Sequence, residues 1–373
     1  MSKPSINIFK DYLVPKAKYA GGKGKAEVAE KIKDKKIYKL SSNENVLGSS
    51  PMALEAIRNG VEKLSEYPDR TDKNLRHALS DFYKNILTPD QFITDNSGVA
   101  ILELIQRAFL GSGLEVIISN PAFKPYLVFS QKLDAKVVDV PLVGDNFHLD
   151  VEGILSAINN NTRLIFLTSP NNPTGTHLPK SQVTELINRL PEHVVVVYDE
   201  VYYQFANAED YTTALPYVLD GKNVIAVNSF SKAYGLAGMR VGYAYSTEKI
   251  AKYVSNVRRP FMISTLGMDS AIAALKDEKF IEKTVSLIQT EKVFLYGALK
   301  KLGIQFWKTQ GNFILIKPEM ADKEFEEKMM REGIMVRPSA NFGAPGCIRV
   351  TIGTREANEA YISALQKILN IKL

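Results

Sequence analysis

Five short apolar runs constrain this chain more than anything else in it: EVIISN (115–120), KVVDVPL (136–142), TRLIFLTSP (162–170), VVVVYDE (194–200) and NVIAVNS (223–229). Helical stretches such as VEGILSAI and SQVTELINRL separate them. Strands that are apolar through both faces must be covered on both faces, so the pattern predicts an α/β fold with a mostly parallel sheet between two helical layers. A sheet of that kind presents its ligands just outside the carboxyl ends of its strands. Those ends carry Phe123, Asn172 in SPNNPTG, Asp199 and Tyr202 in YDEVYYQF, and Lys232 in NSFSKAYG.

Lys232 follows the fifth run in a turn broken by Asn228, Ser229, Ser231 and Gly235, and Arg240 follows after GLAG. Hydroxyls and a guanidinium suit a phosphate, and a lysine beside them suits a carbonyl that forms a Schiff base, which together suggest pyridoxal phosphate. Upstream, QFITDNSGVAILELIQRAFL reads as a short strand, a small polar loop at Asn96, Ser97 and Gly98, and an amphipathic helix from about Val99. Free N–H groups at a helix start bind anions, and glycine admits them closely. Each feature alone has a plain structural explanation, as a turn, an N-cap or a surface lysine.

At 373 residues the chain exceeds what one core serves, which predicts two lobes. The pattern changes near Phe261 to short strands (NFILIKP, IMVRP, CIRVTIG) between helices, so we expect an arm over 1–40 joining the small lobe, a large lobe over 41–260 and a small α+β lobe over 261–373. Residues 1–40 hold eleven lysines against four acids, yet Lys25–Lys36 has the spacing of a solvated amphipathic helix and no aromatic interleaving, so no nucleic-acid partner is expected. The chain has no apolar run long enough for a membrane, and MSKPSINIFKDYL lacks the order of a signal peptide, so the expected setting is cytoplasmic. The single cysteine, Cys347, leaves no internal disulfide and makes a cysteine metal site unfavourable.

SPNNPTG, YDEVYYQF, SFSKAYGLAGMRVGY and CIRVTIGT, in that order, resemble the fold-type I pyridoxal-phosphate aminotransferases. LSSNENVLG, the YPD segment, IMVRPS and GTREAN are similar to the histidinol-phosphate branch of that family. The resemblance implies that Lys232 carries the cofactor and moves the substrate α-proton, that Asp199 pairs with the pyridinium nitrogen, and that Tyr202 and Asn172 face its phenolic oxygen. It implies that Phe123 stacks on the ring, with Tyr126 as the runner-up. The backbone of Gly98 and Val99, the hydroxyls of Ser229 and Ser231, and Arg240 would hold the phosphate. Tyr67, in an otherwise exposed turn, would reach the same phosphate in a partner's site, which implies a homodimer. Arg349 and Arg337 would bind the anionic end of the substrate.

Two positions depart from the family pattern. Val99 and Ala100 stand where an acidic pair is common, and Pro15-Lys16, with Tyr19 nearby, stands where a Pro-Tyr helps hold the substrate phosphate. The expected reaction is exchange between an amino donor and an oxo-acid acceptor, with histidinol phosphate and 2-oxoglutarate as the favoured pair. An aromatic amino-acid aminotransferase, a pyridoxal-dependent decarboxylase of a phosphorylated amino acid and a cofactor-sensing regulatory domain are the alternatives.

Overall fold

The computed structural model describes residues 10–13, 21, 24–30, 32 and 35–371. Its large lobe is built on seven strands: β1 (Phe92–Asp95), β2 (Glu115–Ile118), β3 (Lys136–Asp139), β4 (Thr162–Thr168), β5 (Val195–Asp199), β6 (Val224–Ser229) and β7 (Gly242–Tyr245). They lie in the order β1-β7-β6-β5-β4-β2-β3. Neighbours from β6 to β3 run parallel, whereas β7 is antiparallel to both β1 and β6. The unbroken apolar runs have a direct cause in the packing. On β5 and β6, Val196, Tyr198, Val224 and Ala226 join the core on one face, and Val195, Val197, Ile225 and Val227 join the core on the other. The edge strand β3 is the exception, with Lys136 and Asp139 exposed.

The small lobe carries β8 (Gln305–Phe306), β9 (Phe313–Lys317), β10 (Arg337–Pro338) and β11 (Ile348–Thr351), an antiparallel sheet in the order β10-β11-β9-β8. The helices Glu278–Lys301 and Arg355–Leu369 pack on it through Ile288, Leu295, Tyr361 and Leu365. The segment Tyr38–Leu40 belongs to this lobe as well: Tyr38–Lys39 pairs parallel with Ile334–Met335, and Leu40 enters its core. The helix Thr265–Leu275 packs the other way, with Met268, Ala271, Ala274 and Leu275 in the large-lobe core beside Ala53, Leu75 and Leu79. Packing therefore groups that helix with the large lobe, one helix beyond the expected boundary at 261.

Of the helix expected over Lys25–Lys36, the structure forms Lys25–Ala29 with Val28 buried, and the chain bends at Ile32 and Lys35 before the ladder at Tyr38. Cys347 is buried in a small cluster with Leu315 and Ala344, as a small core residue would be. Among the described residues no helix is long and apolar enough to cross a membrane, and no cluster of His, Cys, Asp or Glu could hold a metal ion.

The insertion of β7 beside β1 has a steric requirement. A Cβ on Gly242 would lie 2.3 Å from the backbone nitrogen of Gly98 and 2.3 Å from the carbonyl carbon of Ser97. Backbone cannot swing aside as a side-chain end can, so Gly242→Ala should cost about 1–3 kcal/mol in a denaturant melt. An unchanged midpoint would mean that β7 does not hold the Ser97–Gly98 turn.

Candidate active site

One cavity of about 250 Å³ opens between the lobes at the carboxyl ends of the strands. At one end stands a set of anion-binding groups. The chain leaves β1 through Ser97, whose φ of 89° and ψ of 158° belong to a region normally reserved for glycine, and Ser97 Oγ accepts from the N–H of Ala100. The helix Gly98–Phe109 begins there, with its first N–H groups at the cavity wall and no acidic residue in its first turn. A Cβ on Gly98 would sit 3.2 Å from Ser229 Cβ, so this turn meets the end of β6 directly. Ser229 Oγ in turn accepts from Ser231 N–H at 3.1 Å. Arg240, left-handed at φ 58°, completes the wall.

At the ends of the adjacent strands β5 and β6 lie a carboxylate and an amine whose pKa values move toward each other. Asp199 is pushed up to about 6, chiefly by burial, against the opposing pull of hydrogen bonds from the Tyr126 hydroxyl (2.7 Å) and the Val201 N–H (3.2 Å) and of the Lys232 charge. Lys232 is lowered to about 7, first by burial and then by the positive charge of Arg349, with Glu44 and Asp199 opposing. Its Nζ donates to the carbonyl of Ser42 at 3.0 Å and lies 5.8 Å from the centre of the Tyr202 ring. An amine that sheds its proton near neutrality, a partly protonated carboxyl and an anion cradle in one cleft form a set that can bind a carbonyl compound covalently and move protons.

Tyr126 has a different position from the one held in reserve for it. It is buried with its ring stacked on Phe166 at 4.3 Å, and its hydroxyl lies between Thr168 and Asp199, so it orients the carboxylate. Phe123 lines the cavity and meets Tyr126 edge-on. On the small-lobe side, Arg349 is 6% exposed and donates to Asn172 Oδ1 (2.6 Å) and to the carbonyl of Ser41 (2.7 Å). Arg337 lies on the same wall, 5.5 Å from the Phe342 ring centre, and donates to the carbonyl of Gly21 in the arm.

Twelve of the thirteen residues expected from the sequence line this cavity: Gly98, Val99, Phe123, Asn172, Asp199, Tyr202, Ser229, Ser231, Lys232, Arg240, Arg337 and Arg349. Tyr67 does not. It is 85% exposed, with its ring 5.1 Å from that of Phe261. Pro15, Lys16 and Tyr19 lie outside the described residues. Sequence reasoning missed the segment Ser41–Asn43, which touches Arg349, Lys232 and Tyr202 in succession. Its one local signal is a Ser/Asn-rich turn directly after a short strand.

The family model for aminotransferase class I and II matches residues 35–365. A histidinol-phosphate aminotransferase of Pseudomonas fluorescens is 37% identical over 353 residues, covering 94% of each chain, and one of Mannheimia succiniciproducens is 35% identical, covering 95% of this chain and 96% of its own. The solved structure of histidinol-phosphate aminotransferase from Sinorhizobium meliloti in complex with pyridoxal-5'-phosphate superposes with a TM-score of 0.87 at 25% identity, covering 99% of both chains.

The lowered pKa of Lys232 is directly measurable. In unliganded protein an amine-directed reagent should label it with a rate that reaches half its maximum near pH 7, whereas exposed lysines follow above pH 10. Mass spectrometry of the labelled peptides across pH reads this, and a midpoint near 10 would refute the desolvated amine. Linkage gives the second arm. An unfolded lysine keeps its proton to about 10.5, so the cost of the buried ammonium is complete below pH 7 and is relieved between 7 and 10.5. Lys232→Met should therefore stabilise the unliganded protein most below pH 7.

Proposed function

Because the chain belongs to the aminotransferases of class I and II, we propose that it transfers an amino group between histidinol phosphate and 2-oxoglutarate in histidine biosynthesis, in the cytoplasm, with pyridoxal phosphate as its cofactor. The observation that carries this reading is the grouping of Lys232, Asp199, the anion cradle and two arginines around one cavity.

The residues fit the cofactor. Ser97 in a conformation costly for a serine, a Gly98 with little room for a side chain and three polar groups from the β6 loop make a cradle for a dianion. When bound, pyridoxal phosphate supplies the electron sink that lets the bond at the substrate α-carbon break. Lys232 would hold it covalently, and its near-neutral amine then serves to take and return the α-proton. Asp199, oriented by Tyr126, would keep the proton on the pyridinium nitrogen. Asn172 has its carbonyl oxygen committed to Arg349, which leaves its NH₂ to donate toward the phenolic oxygen alongside Tyr202. Phe123 would cover the ring. Arg349 would bind the anionic group of either substrate, the phosphate of one or a carboxylate of the other, and Arg337 the second charge of a phosphate.

We further propose a homodimer in which Tyr67 donates to the phosphate in the partner's site. Its exposure, away from its own cavity, supports this role. The lobe division proposed is an arm over 1–40, a large lobe over 41–260 and a small lobe over 261–373, with the helix Thr265–Leu275 packed on the large lobe.

Two experiments test the proposal. A half-reaction screen of amino donors, followed by the absorbance of the cofactor, should favour histidinol phosphate over phenylalanine; a clear preference for phenylalanine overturns the substrate, and protein that takes up no colour overturns the cofactor. Arg349→Ala should lower kcat/KM for both donors by roughly ten- to a hundredfold, while Arg337→Ala should do so for histidinol phosphate alone. For the dimer, mixing Tyr67→Phe with Lys232→Ala should give hybrids in which one site carries both lesions and the other neither. An active monomer in sedimentation refutes it.

A further inference from the structure

Asn43 is fully buried and left-handed, with φ of 54°, a conformation that asparagine tolerates better than most residues. Each of its polar groups is engaged. Its N–H donates to Thr351 Oγ1 at 2.9 Å, and its carbonyl accepts from Asn312 Nδ2 at 3.1 Å. Its side-chain Oδ1 accepts from Thr351 Oγ1 at 3.2 Å, and its Nδ2 donates to the Tyr202 hydroxyl oxygen at 3.0 Å. The orientation of the amide follows from this set. Thr351 Oγ1 accepts the Asn43 N–H and gives its own proton to Oδ1, an arrangement in which the NH₂ faces Tyr202.

We propose that Asn43 is a positioning residue that fixes the hydrogen-bond polarity of Tyr202: by filling a lone pair of the phenol oxygen, it turns the phenol proton toward the cavity and makes Tyr202 a donor there. The inference rests on the aminotransferase reading, in which Tyr202 faces the phenolic oxygen of the cofactor. It adds a constraint from the far side of the cleft, since Thr351 lies on β11 of the small lobe and Tyr202 follows β5 of the large one. A donor at the phenolic oxygen draws off negative charge that would otherwise keep a proton on the neighbouring nitrogen, so losing the donor moves the cofactor's titration to higher pH.

The test is a pH titration of the absorbance of the loaded enzyme. Tyr202→Phe should raise the midpoint by about one pH unit. Asn43→Gly, which keeps the left-handed backbone and adds no charge, should raise it by about half as much, and the double variant should go no further than Tyr202→Phe alone. Thr351→Val, which removes the lock on the amide while Asn43 itself is kept, should shift the midpoint in the same direction and carries the test if Asn43→Gly does not fold. A midpoint at the wild-type value in both single variants, or full additivity in the double, overturns the proposal. Failure of the reading beneath it looks different: the wild type takes up no colour, or Tyr202→Phe itself titrates like the wild type, and the proposal then falls with it.

Discussion

Burial of β5 and β6 on both faces is the constraint on which the rest depends. A strand packed on two sides cannot slip or tilt without moving two cores, so the residues at its end inherit the rigidity of the sheet. Asp199 and the turn that leads to Lys232 stand at such ends, side by side. The cost of holding two ionisable groups there, away from water, is what brings their pKa values within about one unit of each other. Reactivity at this site is thus a product of the packing, and not of any unusual side chain.

The same strand end shows how one residue step separates chemistry from structure. Asp199 faces the cavity, while Glu200, next in the chain, turns into the protein and accepts from the Ala214 N–H, the Asn228 amide and the Tyr245 hydroxyl. Both carboxyls are raised by burial. Glu200 spends its acceptors tying the segment after β5 to β6 and β7, whereas Asp199 keeps an open side on the cleft.

Much of this was legible in the sequence, because a two-sided apolar run marks a strand and the strand's end marks the site. Lys232, Asp199, Asn172 and the Ser97–Gly98 turn follow from that rule together with the family resemblance. Tyr126 and Ser41–Asn43 did not follow, and the reason is physical. Tyr126 sits on a helix, where spacing indicates which face is buried but not that a hydroxyl will meet a carboxylate seventy-three residues away. Ser41–Asn43 act mostly through backbone carbonyls, and a carbonyl has no letter in the sequence. The helix Thr265–Leu275 lies beyond the change in pattern near Phe261, yet its small residues pack closely on the large-lobe helix Pro51–Gly60.

The segment Tyr38–Leu40 lies in the small lobe, the chain after it builds the large lobe, and β8 to β11 return to the small one. Leu40 receives the N–H of Thr351 at its carbonyl, and Ser41 receives Arg349. During synthesis the seven-stranded sheet can therefore close while the segment that crosses the cleft still lacks its partners. Two of the partners of Ser41–Asn43, Arg349 and Thr351, lie on β11, so the segment is tied on both sides of the cleft only once that strand exists. Arg337 and Arg349 come from strands near the end of the fold, so the cavity has its small-lobe wall only once those strands have been made.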